Sequence, residues 1–158
     1  MKKIPIGIVH GRFQPLHSGH LKYILAGLAR CDFLYIGVCT PKLCTKEEAE
    51  KTGFPCLPEQ NPLSFIERKK MIVEALKEKN IPNKKYKIIK FPSDYKNIEK
   101  YIPKNTTFFM TAWNDEGENK VKALRRLGLK VSVLSSIKKE KGEKSGTEIR
   151  KIFARAVT

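Results

Sequence analysis

The 158-residue sequence contains no apolar run close to the roughly 20 residues that a helix needs to cross a bilayer, so it predicts no membrane span. Its first residues are typical of a strand leading into a turn and not of a secretory leader. We therefore expect a cytoplasmic protein. The sequence has no internal repeat and no sharp shift in composition, which predicts a single domain over residues 1–158.

The four cysteines form no CxxC pair, which is the spacing typical of zinc ribbons and thioredoxin-type redox sites. Cys39, Cys44 and Cys56 share one loop region but lack the close spacing of metal ligands. We expect free thiols at these three positions and at Cys31. A disulfide or a metal site within the loop is the alternative.

Acidic residues are few: 16 Asp and Glu stand against 32 Lys and Arg, which gives a net charge of +16. Such a charge attracts polyanions and does not choose among nucleic acid, anionic lipid and nucleotides. The lysines are scattered and lack the interleaved aromatic residues of a surface that binds single strands. The sequence therefore favours a solvated lysine-rich surface over a nucleic-acid interface.

Strand-like and helix-like segments alternate along the chain, and this pattern predicts a Rossmann-like α/β fold. We expect a doubly wound, parallel, five-stranded sheet with helices on both faces. Residues 40–63 should form an unusually long connection. The predicted strands are 3–9, 32–39, 85–91, 106–111 and 129–134.

The helices are predicted from apolar residues at helical spacing and from capping signals. Ser64 and Glu67 form a capping box at the start of a helix, and Gly128 marks the end of a later one. The first helix should bury Leu21, Ile24, Leu25 and Leu28, and the second should bury Ile66, Met71, Ile72 and Leu76. Further helices are expected at about 94–102, at 115–127 and after Ser145.

The segment GRFQPLHSGH, residues 11–20, lies between the first predicted strand and the first predicted helix. Ligands of open α/β sheets bind at this edge, and the N-terminus of a helix offers N–H groups to phosphate. Gly11 and Gly19 permit tight turning or close backbone approach, and Arg12 is a permanent cation. By spacing alone, His17 and His20 could be capping, surface, metal-binding or catalytic residues.

The same segment resembles the HxGH signature of the nucleotidyltransferase superfamily, here His17-Ser18-Gly19-His20. Over nearly all ten positions it is similar to the archaeal-type nicotinamide mononucleotide adenylyltransferases. Two later segments also resemble that family, in the same order: NPLSFIERKKMI at residues 61–72 and SGTEIRK at residues 145–151.

This resemblance implies transfer of AMP from ATP to nicotinamide mononucleotide, which gives NAD and pyrophosphate. It implies that His17, His20 and Arg150 are catalytic, that Mg²⁺ accompanies the triphosphate without a dedicated metal cage, and that the protein is a homo-oligomer. The implied nucleotide-binding residues are Gly11, Arg12, Phe13, Gln14, Gly19, Ser145, Gly146 and Thr147.

The middle of the chain departs from that family. The loop at residues 40–60 is longer, and residues 111–124 replace a shorter turn in the region that shapes the acceptor pocket. Trp113 and Asn114 are therefore candidate acceptor-binding residues, although Trp113 could pack in the core and Asn114 could cap a helix.

These departures leave two alternatives open. One is a cytidylyltransferase or another adenylyltransferase that uses a phosphorylated alcohol, a phosphonate or phosphopantetheine as acceptor. The other is a basic module that binds nucleic acid or senses a nucleotide.

Overall fold

Five parallel strands form one sheet in the computed structural model, which describes residues 3–40, 43–53, 56–112 and 115–134. The sheet order is β3-β2-β1-β4-β5. The five-stranded, parallel, Rossmann-like α/β fold expected from the sequence is confirmed. The strands are β1 (Ile4–Gly11), β2 (Cys31–Cys39), β3 (Tyr86–Phe91), β4 (Thr107–Met110) and β5 (Lys130–Val133).

Helices cover both faces of this sheet. Successive residues of a strand point to opposite faces, and both faces carry buried apolar side chains. On one face, Val9 packs with residues of the first and third helices. On the other, Ile8 packs with the fourth helix. The helices are α1 (Ser18–Arg30), α2 (Lys46–Thr52), α3 (Phe65–Glu78) and α4 (Asp115–Arg126), and none in the described segments could span a bilayer.

The start of α3 and the end of α4 follow their sequence signals. The Ser64 hydroxyl accepts a hydrogen bond from the Glu67 N–H, and the Glu67 carboxylate accepts one from the Ser64 N–H, so the predicted capping box is confirmed. Gly128 lies beyond α4 with a φ of 80°, a conformation that glycine adopts at little cost. The predicted helix after Ser145 lies outside the described residues.

The long connection expected between β2 and α3 is present, and it contains α2 and a short 3₁₀ turn at Pro58–Gln60. Two local predictions are wrong. The helix expected at 94–102 is only a 3₁₀ turn at Ile98–Lys100. Ile66, expected in the core, is 76% exposed, because it lies roughly opposite the buried Arg68 on α3.

The expectation of free thiols is wrong for Cys44 and Cys56, which form a disulfide. The two ends of this loop meet because α2 folds the chain back, and the Cys44 N–H donates a 3.0 Å hydrogen bond to the Cys56 carbonyl. Spacing could not reveal this return of the chain. Cys31 and Cys39 are free and buried, as expected.

The order of the strands places a reversal of direction beside β1. β2 and then β3 follow on one side of β1. The chain then returns across the sheet, and β4 and β5 lie on the other side of β1. In open α/β sheets, the carboxyl ends of the strands at such a reversal form the crevice where ligands bind. The GRFQPLHSGH segment begins at the carboxyl end of β1 and so lies at this crevice.

Candidate active site

The loop from β1 to α1 is anchored by two buried side chains. Phe13 has a φ of 51°, which is uncommon for a residue with a side chain, and its ring is only 1% exposed. Gln14 is 2% exposed and pairs with the Leu63 backbone in both directions, donating at 3.0 Å and accepting at 2.9 Å. Both side chains therefore support the loop from within, and the nucleotide contact expected of these two residues stays a prediction.

His17 is the N-cap of α1. Its Nδ1 accepts hydrogen bonds from the N–H groups of Gly19, at 3.1 Å, and His20, at 3.4 Å. An accepting Nδ1 carries no proton, so the neutral ring carries its proton on Nε2. The cap therefore fixes the tautomer and makes Nε2 a hydrogen-bond donor at the N-terminus of a helix.

His20 stacks on His17, with ring centroids 3.7 Å apart and an interplanar angle of 23°, and the Phe13 ring meets it edge-on at 4.9 Å. Burial first, and then the nearby His17 and Arg12, lower the pKa of His20 to about 3. The ring is therefore neutral near pH 7. Its Nδ1 is buried without a hydrogen-bond partner in the described part of the chain.

Arg12 supplies the positive charge of this site. Its guanidinium donates a 3.2 Å hydrogen bond to the Gln60 carbonyl, which follows the disulfide loop, and its charge acts on His20. A permanent cation beside the two imidazoles suits an anionic ligand, and the helix N-terminus adds to the same field.

Arg68 is a residue of the site that the sequence analysis did not single out. It is 1% exposed and its guanidinium has four neutral oxygen partners: the carbonyls of Arg12, Cys39 and Ser64 and the hydroxyl of Thr40. It joins the loop between β1 and α1, the end of β2 and the start of α3. The sequence did carry one indication of this role: Arg68 lies four residues before Ile72, on the buried face of the helix.

The two predicted glycines lie at the start and near the end of the GRFQPLHSGH segment. Gly11 ends β1, and an added Cβ would lie 3.4 Å from the Phe13 ring, an ordinary van der Waals contact. The Gly19 N–H is directed at His17. The remaining predicted site residues lie outside the described residues: Trp113, Asn114, Ser145, Gly146, Thr147 and Arg150.

The donors of this site are cationic or neutral, and carboxylates are the ligands that magnesium prefers in proteins. Within the described ranges, no group of three His, Cys, Asp or Glu side chains could hold a metal ion. The arrangement fits a phosphate better than a resident metal.

The family model described as Cytidylyltransferase-like matches residues 8–152, which is most of the chain and includes both halves of the sheet. The chain belongs to this family. The match also includes the late segment SGTEIRK, which the structural description does not reach.

Two kinds of nucleotidyltransferase are similar to this chain in sequence. The phosphonoformate cytidylyltransferase of Streptomyces viridochromogenes is 38% identical over 129 residues, which cover 81% of this chain and 70% of that protein. The nicotinamide-nucleotide adenylyltransferase of Thermococcus sibiricus is 30% identical over 152 residues, which cover 92% of this chain and 71% of that protein. This member of the cytidylyltransferase-like family is a nucleotidyltransferase.

A solved structure with the same fold is that of a bifunctional NMN adenylyltransferase/ADP ribose pyrophosphatase from Francisella tularensis. The TM-score is 0.68 at 20% identity, and the match covers 97% of this chain and 43% of that one. A second structure of that protein, complexed with AMP and a manganese ion, has a TM-score of 0.66. The chain thus spans less than half of these solved chains.

Proposed function

We propose that this protein transfers AMP from ATP to nicotinamide mononucleotide, with release of pyrophosphate. The observation that carries the proposal is the pair of stacked imidazoles of His17 and His20 at the N-terminus of α1, beside Arg12. The resemblance of three ordered segments to the archaeal-type adenylyltransferases supports the choice of nucleotide and acceptor.

In this reaction, a phosphate oxygen of the acceptor forms a bond to the α-phosphorus of ATP. The bond between that phosphorus and the bridging oxygen to the β-phosphate breaks, and pyrophosphate leaves with the electron pair. No covalent enzyme intermediate is needed. Catalysis therefore depends on placing donors and positive charge where negative charge grows.

The histidines suit this task. The Nε2–H of His17 would donate to the α-phosphate, and His20 would donate to the departing oxygen. Because His20 is neutral before substrate binds, the negative charge of a triphosphate would raise its pKa and strengthen its hydrogen bond as the reaction proceeds.

The remaining roles fall on segments beyond the described residues. Ser145, Gly146 and Thr147 would present N–H groups to the β- and γ-phosphates, and Arg150 would neutralise the pyrophosphate. Trp113 and Asn114 would contact the acceptor. We propose that Mg²⁺ enters with the triphosphate, held by its phosphate oxygens.

A second candidate is transfer of CMP from CTP to a small phosphonate. The observation that favours it is the 38% identity with the phosphonoformate cytidylyltransferase, which exceeds the 30% identity with the adenylyltransferase of Thermococcus sibiricus. The histidine chemistry is the same in both candidates, and only the base and the acceptor differ.

Assays of all four substrate pairs separate the candidates. Each of ATP and CTP is incubated with nicotinamide mononucleotide and, separately, with phosphonoformate. Pyrophosphate release is measured with Mg²⁺ present, and products are identified by mass spectrometry. We expect the highest kcat/KM for ATP with nicotinamide mononucleotide. A higher value for CTP with phosphonoformate would establish the second candidate instead, and no release in any pair would contradict both. Purified His20→Asn protein controls for contaminating activity.

A further inference from the structure

Strands β1 and β4 separate at their carboxyl ends. Their register pairs Gly7 with Thr107 and Ile8 with Phe108, but the described pairing stops there although β1 continues to Gly11. The pairing of β1 with β2, by contrast, runs to the end of β1. The crevice at the reversal of the strand order is therefore open between these two strands.

The hydroxyl of Tyr23, from α1, lies in this gap. It donates a hydrogen bond to the Phe109 carbonyl on β4. The backbone N–H of His10 on β1 lies near the Tyr23 hydroxyl oxygen. The hydroxyl thus satisfies a β4 carbonyl that ladder pairing would otherwise satisfy. Tyr23 therefore lies where the two strands diverge.

His10 lies at the edge of the gap, one residue before Gly11, and its side chain belongs to the face of the sheet opposite α1. Its ring contacts Phe91, Tyr95 and Phe108, with centroids 5.4 to 5.9 Å away. Its Nε2 shares a 2.9 Å hydrogen bond with the Tyr95 hydroxyl.

The other ring nitrogen of His10 is not satisfied. Nδ1 is buried, and the described part of the chain offers it no hydrogen-bond partner. A buried polar atom without a partner is uncommon in proteins and calls for a ligand or another polar group. Tyr95 holds the ring in place from a left-handed backbone with a φ of 59°, a conformation that bulky residues rarely adopt.

The ring is neutral, so it can act as a directional hydrogen-bonding group. Burial and then the charge of Lys120 lower the pKa of His10 to about 4. When the Tyr95 hydroxyl donates to Nε2, the proton of the neutral ring lies on Nδ1, which becomes a donor. Lys120 on α4 adds positive charge on this side of the crevice.

We propose that His10 is a specificity-determining residue of the acceptor subsite, where its Nδ1–H binds an acceptor oxygen outside the reacting phosphate. The inference rests on the proposed function, because it assumes that an acceptor enters this crevice. The carboxamide of nicotinamide mononucleotide and the carboxylate of phosphonoformate both offer such an oxygen. Inorganic phosphate offers none.

The first test observes His10 directly. Protein with ¹⁵N-labelled histidine is titrated with nicotinamide mononucleotide, with phosphonoformate and with inorganic phosphate, in the presence of a non-hydrolysable triphosphate. We expect the His10 Nδ1 resonance to shift with one of the first two compounds and to stay unchanged with phosphate. This readout does not depend on turnover.

The second test separates acceptor binding from catalysis. His10→Leu should raise the acceptor KM about tenfold, the loss expected for one hydrogen bond to a polar ligand, with the triphosphate KM unchanged. His10→Asn, which places an amide near the position of Nδ1, should recover most of that loss. Tyr95→Phe, which removes only the hydroxyl that orients the ring, gives a second variant if His10→Leu does not fold.

Tyr101→Phe is the matched control, because Tyr101 packs against the same Phe91 ring and is 42% exposed. If turnover is present but neither the Nδ1 resonance nor the acceptor KM of His10→Leu changes, the inference is wrong and the proposed function stands. If no pair of substrates releases pyrophosphate, the proposed function is wrong. In that case an acceptor-dependent Nδ1 shift still supports the subsite, and its absence overturns the subsite as well.

Discussion

The guanidinium of Arg68 donates a 2.7 Å hydrogen bond to the backbone carbonyl of Arg12. A further 2.9 Å bond to the Cys39 carbonyl joins the loop after β1 to the end of β2. Because its partners among the described residues are neutral oxygens, hydrogen bonds stabilise this buried charge, and the charge adds to the positive field around the loop from β1 to α1.

Replacing Arg68 with lysine should therefore lower both stability and activity. A lysine cannot span the same set of oxygens, so we expect a loss of about 2 kcal/mol in the free energy of unfolding. Urea denaturation measures this loss, and pyrophosphate release measures kcat/KM. Arg125→Lys on the exposed side of α4 is the matched control and should change stability by less than about 0.5 kcal/mol. Equal effects of the two variants would contradict the role given to Arg68.

His17 has two functions that substitution can separate. His17→Ala removes the cap of α1 and should cost about 1 kcal/mol of stability, whereas His17→Asn keeps a side chain that caps helices well. Both variants lack the Nε2 donor, so both should lose turnover on the order of a hundredfold. Thermal melts and initial rates check the two parts, and an active His17→Asn protein would rule out His17 as a catalytic donor.

His20→Asn should reduce kcat on the order of a hundredfold or more, because one donor to the developing charge is lost. The melting temperature should fall only modestly, because asparagine keeps a polar side chain but loses part of the packing against His17 and Phe13. A large loss of melting temperature with proportionate loss of activity would instead identify His20 as a structural residue.

Stability should fall as the pH decreases below about 6.5. The pKa values of His10 and His20 are about 4 and about 3 in the folded protein, against 6.5 for an unperturbed histidine. Between these values the unfolded chain binds more protons than the folded one, so lower pH favours unfolding, by up to about 1.4 kcal/mol per pH unit for each group.

Urea denaturation at pH 7, 6 and 5 measures this slope above the range where most carboxylates titrate. His20→Asn should reduce the slope because it removes one of the two groups. A wild-type slope of zero across this range would show that these histidines are not depressed in the folded state.

The disulfide determines how many thiols can react and how much stability is lost when it is reduced. Of the four cysteines, only Cys31 and Cys39 should react with a thiol reagent in denatured, unreduced protein. Reduction frees a loop of about a dozen residues and should lower stability by at most about 3 kcal/mol. The Cys44→Ser and Cys56→Ser double variant is the control, and it should show no further response to reductant. Four reactive thiols would contradict the pairing.

The sequence predicts the strands and the long helices well, because burial imposes a regular spacing of apolar residues. It places His17 and His20 at the start of α1 for the same reason. It does not reveal Arg68, since its partners are backbone carbonyls that any residue could supply. It also misses the contact of Tyr23 with β1 and β4, because that contact joins residues 86 positions apart and depends on where two strands diverge.

Both ends of the connection between β2 and α3 are held beside the loop from β1 to α1. Arg68 binds Thr40 at its beginning, and Gln60 and Leu63 at its end are held by Arg12 and Gln14. The length of this connection can therefore change without moving the imidazoles of His17 and His20. Evolution can lengthen, shorten or cross-link this connection to suit a new acceptor while the residues that would act on phosphate stay in place. For the same reason, a new sequence can be grafted there by design.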